Sequence, residues 1–211
     1  MLELKDGVLM GDRGRMLMQP LSFTVDAGQV LAVGGDARAS RLLLRALLGL
    51  QPLASGYVSI DGDPLLPLTA NFFRRRMAYV PADVLLSQGT MAEAAAQMFR
   101  LGVNAEMPLR KSHLMEQWRQ LGIDETLYEK PLREVGATQQ WLMQLALAAL
   151  LQRQMVVVDV PQQLTDEATL ATVARYLCTE AFAQSAVVVA TNATTLTAVC
   201  HKTVAIRSSQ T

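Results

Sequence analysis

Cysteine, histidine and charge are all scarce in this 211-residue chain, and each shortage removes a class of function. The two cysteines, Cys178 and Cys200, fit no metal-ligand spacing; thiols used this sparingly suit a reducing compartment, where they pack as small hydrophobes. The two histidines, His113 and His201, permit no Ser-His-Asp or Cys-His arrangement at credible spacing, and both read as ordinary surface or partly buried residues. Charged residues make up 18% of the chain, and 19 basic side chains balance 19 acidic ones. That balance excludes a disordered chain or one that coats nucleic acid. No run reaches the roughly 18 apolar residues a membrane span needs. The opening MLELKDGVLMG lacks a basic stretch followed by an apolar one, so no secretory signal is visible. Repeats and low-complexity stretches are also missing.

Apolar residues, by contrast, make up 51% of the sequence and include eleven methionines. A chain of this length can bury a sizeable core as one large domain, or as a domain with a small insert. The composition suits a soluble protein with a sticky partner surface. Alternation predicts strands at Leu2–Leu9, Leu21–Val25, Val30–Val33, Gly56–Ile60 and Met77–Val80, the last stopped by Pro81. Residues 83–133 change character: Met91–Leu101 and Leu109–Leu121 have helical spacing, and β-branched residues become rare. This stretch is predicted to be a small helical subdomain inserted into an α/β core formed by 1–82 and 134–211. Helices are expected at Ser40–Leu50, Gln139–Gln152 and Glu167–Ala183. Buried strands are expected at Met155–Val158 and Val187–Ala190, with a last strand at Thr203–Ile206 before a polar tail. Continuous apolar strands alternating with helices predict a mostly parallel sheet covered on both faces, with an antiparallel part near the start.

Residues 30–50 read VLAVGGDARASRLLLRALLGL: strand, short loop, helix. In that setting G-x-x-x-x-G-K-[ST] cradles nucleotide phosphates. The order of segments resembles the nucleotide-binding subunit of ATP-binding cassette (ABC) transporters over nearly the whole chain. Leu21–Gly28 resembles the strand and turn before the family's phosphate loop, Leu43–Leu50 the helix after it, and Gly56–Gly62 the following hairpin. Leu121–Asp124 and Pro131–Glu134 are similar to the approach to the signature motif. Val156–Pro161 is similar to the second acidic strand, and Leu164 and Asp166 to the end of the loop after it. The resemblance implies a P-loop NTPase-like ABC ATPase fold.

It also implies a phosphate loop over Gly34, Gly35, Asp36, Arg38, Ser40 and Arg41, and here the chain departs from the family. GGDARASRL stands where the family reads roughly GPNGAGKST. Ala37 and Ala39 replace glycines, and an alanine forced to positive φ costs about 1–2 kcal/mol. Ser40 holds the lysine position and cannot supply its charge, whose hydrogen bond is worth about 1.5–3 kcal/mol. Arg41 or Leu42, depending on register, stands where a hydroxyl would hold magnesium. Arg38 or Arg41 either reaches back to replace the lysine, or is solvated or paired with acids such as Asp36. Asp159 matches the magnesium-holding carboxylate and is otherwise a relic that caps its strand. The next residue, a glutamate in the family, is Val160; losing a general base costs roughly 10²–10⁴ in rate.

Other positions follow suit. Ala82 stands for the glutamine, with Gln88 too far along to replace it. Val135-Gly-Ala-Thr-Gln139 stands for the signature, Asn192 for the γ-phosphate histidine, and Met10 for the aromatic residue that stacks on adenine. The basic run Arg74-Arg75-Arg76 reads as a solvated face. These groups act on one transition state, so their joint loss removes the site rather than weakening it.

The expectation is therefore an ABC-type subunit with no catalytic residues, which does not hydrolyse ATP and binds ATP and magnesium weakly or not at all. By resemblance it pairs with a catalytic ABC ATPase subunit or with itself, and meets a membrane permease through the helical subdomain. The resemblance places it in the cytoplasm or peripherally on the inner face of the cell membrane. Two other readings stay open: a non-transport scaffold on the same fold, and an unusual ATPase relying on Arg38, Arg41 and Asp159.

Overall fold

The computed structural model describes residues 1–11, 14–83, 88–104 and 106–207. In chain order its elements begin with β1 (Leu2–Met10), β2 (Met16–Val25), β3 (Val30–Gly35), α1 (Ala37–Leu47), β4 (Ser55–Ile60), β5 (Asp63–Pro64) and α2 (Ala70–Arg74). There follow β6 (Met77–Val80), α3 (Met91–Arg100), α4 (Lys111–Leu121), α5 (Ala137–Leu150), β7 (Met155–Asp159), α6 (Glu167–Leu177), β8 (Ala186–Ala190), α7 (Thr194–Thr197) and β9 (Lys202–Ile206). Strands β2-β1-β4-β5 form an antiparallel sheet, and β6-β7-β8-β3-β9 a parallel one. The α/β architecture with an antiparallel part near the start is as the sequence predicts.

The parallel sheet explains its own residue choice. Side chains alternate faces along a strand. Val156, Val158, Val187 and Val189 therefore pack on one side with α3, α4, α5 and α6, while Met155, Val157, Ala186 and Val188 pack on the other with α1 and the antiparallel sheet. Both sides are dry, so each strand reads as an unbroken apolar run. Because all five strands are parallel, Gly35, Val80, Asp159 and Ala190 emerge along one edge. In open α/β sheets, ligand sites lie outside the carboxyl ends of the strands.

Local chemistry sets the ends of the other elements. Helix α3 starts on a capping box, with Thr90 accepting from the Glu93 amide and the Glu93 carboxylate accepting from the Thr90 amide. Helix α4 closes on Gly122 at φ 69°. The β4–β5 turn uses Asp61 and Gly62, both at positive φ, as a tight hairpin requires. Strand β2 starts at Met16, earlier than expected; it tolerates Pro20 because it is an edge strand.

Two helices differ from expectation. Helix α1 starts at Ala37, not Ser40, for reasons that shape the site. The stretch expected as one helix over Glu167–Ala183 divides: α6 ends at Leu177, and a separate 3₁₀ turn spans Glu180–Phe182. Thr179 Oγ1 donates to Tyr176 O at 2.7 Å, a local bond that competes with helical continuation. Phe182 then folds back edge-on to Tyr176, with 5.5 Å between ring centres. Short elements α2, β5 and α7 carry too little pattern to be seen in the sequence. The polar tail at 208–211, and positions 84–87 of the expected insert, lie outside the described residues.

Candidate functional site

The phosphate-loop segment begins where β3 ends. Gly34 and Gly35 leave the sheet, and Gly35 has φ 97°. A Cβ there would lie 2.1 Å from the carbonyl oxygen of Ile206 on neighbouring β9, so only glycine fits. Asn192, just beyond β8, clasps this glycine from both sides. The Gly35 amide donates to Asn192 Oδ1 at 2.7 Å, and Asn192 Nδ2 donates to Gly35 O at 3.0 Å.

Asp36 then turns the chain directly into α1. Its carboxylate accepts from the Ala39 amide at 2.8 Å, and its carbonyl accepts from Ser40 N at 2.8 Å. An aspartate N-cap followed by Ala-Arg-Ala is a strong helix start, with no glycine to keep the segment open. Helix replaces loop from Ala37 onward. Ala37 and Ala39 are accordingly not at positive φ, and the strain expected of them is absent. Replacing Asp36 by alanine should cost about 1 kcal/mol, the usual value of an N-cap, measurable by urea denaturation.

Ser40 is buried under the loop, its Oγ 3.5 Å from Gly34 O. Arg41, one residue on, neither reaches back to the loop nor stands free in solvent. Its Nε donates to Asp159 Oδ2 at 3.0 Å, and its Nη1 lies 3.6 Å from Asp83 Oδ2. Arg38 is exposed on the same helix and, with Arg41, Arg45, Gln51 and Gln162, lines an open cleft of about 620 Å³.

Asp159 ends β7 with its side chain only 10% exposed. Burial raises its pKa above the usual carboxylate value; the Arg41 guanidinium pulls it down without cancelling that effect, and Asp83 pushes it up further. The half-buried Tyr79 hydroxyl is raised for the same first reason, burial, and then by the charge on Asp159. From behind, Trp141 Nε1 of α5 donates to the Asp159 carbonyl at 3.2 Å.

Ser40, Arg41, Asp159, Val160, Glu167 and Asn192 open onto one cleft of about 490 Å³ at the carboxyl edge of the sheet. The structure thus brings the phosphate-loop positions, Asp159 and Asn192 together. Met10 at the end of β1 and the signature positions at the start of α5 are not among the residues lining it. Among the signature positions, Gly136 caps α5. The neighbouring Gln140 is turned inward, donating to Leu132 O and Val135 O. Ala82 is buried and Gln88 exposed. Sequence reasoning missed the Asn192 clasp, the part of Asp83 beside Arg41, and Glu167. The Glu167 carboxylate accepts from the Thr195 hydroxyl across the cleft. A polar residue directly after an apolar strand was the available signal for Asn192.

A family model described as ABC transporter matches residues 18–163. Human ATP-binding cassette sub-family B member 6 is 36% identical over 81 residues, which is 38% of this chain and 10% of that protein. The ATP-dependent lipid A-core flippase of Ralstonia nicotianae is 28% identical over 170 residues, covering 76% of this chain and 27% of the flippase. The matched stretches thus span about a quarter or less of such relatives. Among solved structures, the dimeric bacterial ABC transporter cassette MJ0796 superimposes with a TM-score of 0.80, at 16% identity over 98% of this chain and 94% of that one. CbiO1 of Clostridium perfringens, part of the ABC transporter complex cbiONQ, gives a TM-score of 0.79 at 16% identity, over 98% of this chain and 84% of its own. From the strand order and edge cleft through the matched residues, the chain belongs to the ABC transporter family.

Proposed function

We propose that this protein is an ABC transporter subunit that does not hydrolyse ATP, binds MgATP poorly, and serves a transporter as a structural or regulatory partner. The observation that carries the reading is the Arg41–Asp159 ion pair. The Asp159 carboxylate, which would hold magnesium at the strand end, already has a cation against it, held on a covalent tether. The side chain of its neighbour Val160 offers no oxygen. At the other half of the site, the Ala39 amide is capped by the Asp36 carboxylate, so a phosphate would meet a negative charge where the family offers donors. The residues present do not fit a magnesium–triphosphate.

The test is thermal stability with and without MgATP. Nucleotide at 100 times its dissociation constant would raise stability by about 2.7 kcal/mol, or roughly 5–11 °C for a chain this size. We expect a shift below about 1 °C and no phosphate release above a boiled control. A clear rise in melting temperature, or turnover above that control, overturns the reading.

Dimerisation with a catalytic ABC subunit, or with a second copy, follows from the family. A permease would be met through the helical stretch 83–133. Supporting this is a groove of about 190 Å³ where Met98, Leu101 and Val103 face Tyr79, Arg75 and Arg153. Leu101 and Val103 are 56% and 48% exposed, and burial lowers the Arg153 pKa. No acid among the described residues is paired with Arg75 or Arg153. No helix among the described residues is long and apolar enough to cross a membrane. Co-purification of a polytopic membrane protein in mild detergent is the expected result. Its absence would favour a scaffold outside transport.

A further inference from the structure

The two cysteines come from different elements and lie near one another. Cys178 ends α6, while Cys200 lies between α7 and β9. The sulfur of the exposed Cys178 is 3.8 Å from the backbone carbonyl oxygen of Val199. Val199 is bonded directly to Cys200, so covalent geometry keeps the Cys200 Cα within about 7 Å of that sulfur. The half-buried Cys200 thiol donates to Leu196 O at 3.2 Å. Thiols are weak donors, so neither contact strongly opposes rotation of its side chain toward the other. Disulfide-bonded cysteines have Cα atoms about 4.4–6.8 Å apart, so closure takes side-chain rotation at both cysteines together with whatever backbone movement brings the two Cα atoms into that range.

We propose that Cys178 and Cys200 form a reversible intramolecular disulfide when the protein meets a low-molecular-weight disulfide such as oxidised glutathione. The Cys178 thiolate, the more accessible one, attacks a sulfur of the oxidant. A Cys178–glutathione bond forms, and one glutathione thiolate leaves. The Cys200 thiolate then attacks the Cys178 sulfur and expels the second glutathione. Two protein thiols are oxidised to one disulfide, two electrons pass to glutathione, and the two thiol protons go to solvent or to the released thiolates.

The bond would close a ring containing β8, Asn192 and α7. It would therefore tether the segment whose Asn192 clasps Gly35. Burial raises both thiols, Cys200 to about 11, so thiolate is scarce at neutral pH and closure is slow. The same property makes each sulfur a poor leaving group, so the closed bond resists exchange. In a reducing compartment the pair stays as thiols. The device is a slow latch.

The test incubates the full chain with oxidised glutathione at about pH 8.5, then alkylates free thiols and measures intact and peptide masses. The expected product has lost both thiols, retains no glutathione, is about 2 Da lighter than the starting protein, and yields a peptide pair joining residues 178 and 200. Cys200→Ser should instead stop at a stable glutathione adduct on Cys178. A wild-type protein that ends as that same adduct, as a disulfide between two chains, or with both thiols unreacted, overturns the proposal.

Discussion

Replacing Trp141 by alanine is expected to remove about 3–5 kcal/mol of stability, the usual cost of truncating a fully buried tryptophan. Trp141 is 0% exposed and belongs to the cluster that fills the helical side of the parallel sheet. Around it on α5 stand Leu142, Met143, Leu145 and Ala146, all buried, so a large void there has few mobile side chains to fill it. Its indole also donates to the Asp159 carbonyl, so the same residue packs α5 and positions the strand end that carries the candidate site. Domains have net stabilities of about 5–15 kcal/mol, so the alanine variant is expected to lose much of that margin. Trp141→Phe keeps most of the volume and removes the donor; it should cost about 1–3 kcal/mol, the range for leaving a buried acceptor unmet. Urea denaturation of the three proteins checks both values. Equal losses for phenylalanine and alanine would show that the hydrogen bond, not the packing, dominates.

Arg41→Ala should lower stability by about 2 kcal/mol at pH 7, within the range for a hydrogen bond to a charged group. The figure lies below the roughly 3–5 kcal/mol of a fully buried pair, because the Arg41 side chain is 45% exposed while that of Asp159 is 10% exposed. The loss should depend on pH. Burial already holds the Asp159 pKa above its usual value, with Arg41 as the foremost opposing influence. The native state thus binds the Asp159 proton more tightly than the unfolded chain does. The carboxyl's stabilising contribution is full below the unfolded pKa and is lost as pH rises through the folded one. Without Arg41 the folded value moves further up, so the loss extends to higher pH. The gap between wild type and variant should be small in acid, where Asp159 is protonated, and open as pH rises toward neutrality. Arg41→Ala combined with Asp159→Asn should recover most of the stability at pH 7. Urea denaturation from about pH 4 to pH 8 measures the gap, and a gap that does not change with pH would mean that Arg41 acts through packing alone.

Much of the architecture was legible in the residues. The strands Met155–Asp159 and Ala186–Ala190 are short apolar runs bounded by polar residues, and strand length with β-branched composition leaves little else for them to be. Lys111–Leu121 spaces its apolar residues for one helix face, and Gly122 stops it. The break after Leu177 was not legible, because Cys178, Thr179 and Glu180 can all continue a helix. What stops it there includes the Thr179 bond to Tyr176 and the packing of Phe182, which depends on the rest of the core.

The candidate site divides along the same line. Which groups stand at each position is read from the chain alone: by resemblance, serine where the family has lysine, arginine or leucine where it has a hydroxyl, and valine where it has glutamate. A missing functional group cannot be supplied by folding. Where the remaining groups point was decided only in three dimensions. Arg41 and Asp159 are separated by most of a domain in sequence, yet the parallel order of β3, β8 and β7 sets α1 beside the end of β7 and joins guanidinium to carboxylate. Asn192 meets Gly35 in the same way. Local pattern encodes which elements form, because propensity and burial act over a few residues. Pairing across the sheet edge depends on strand order, which the whole core selects.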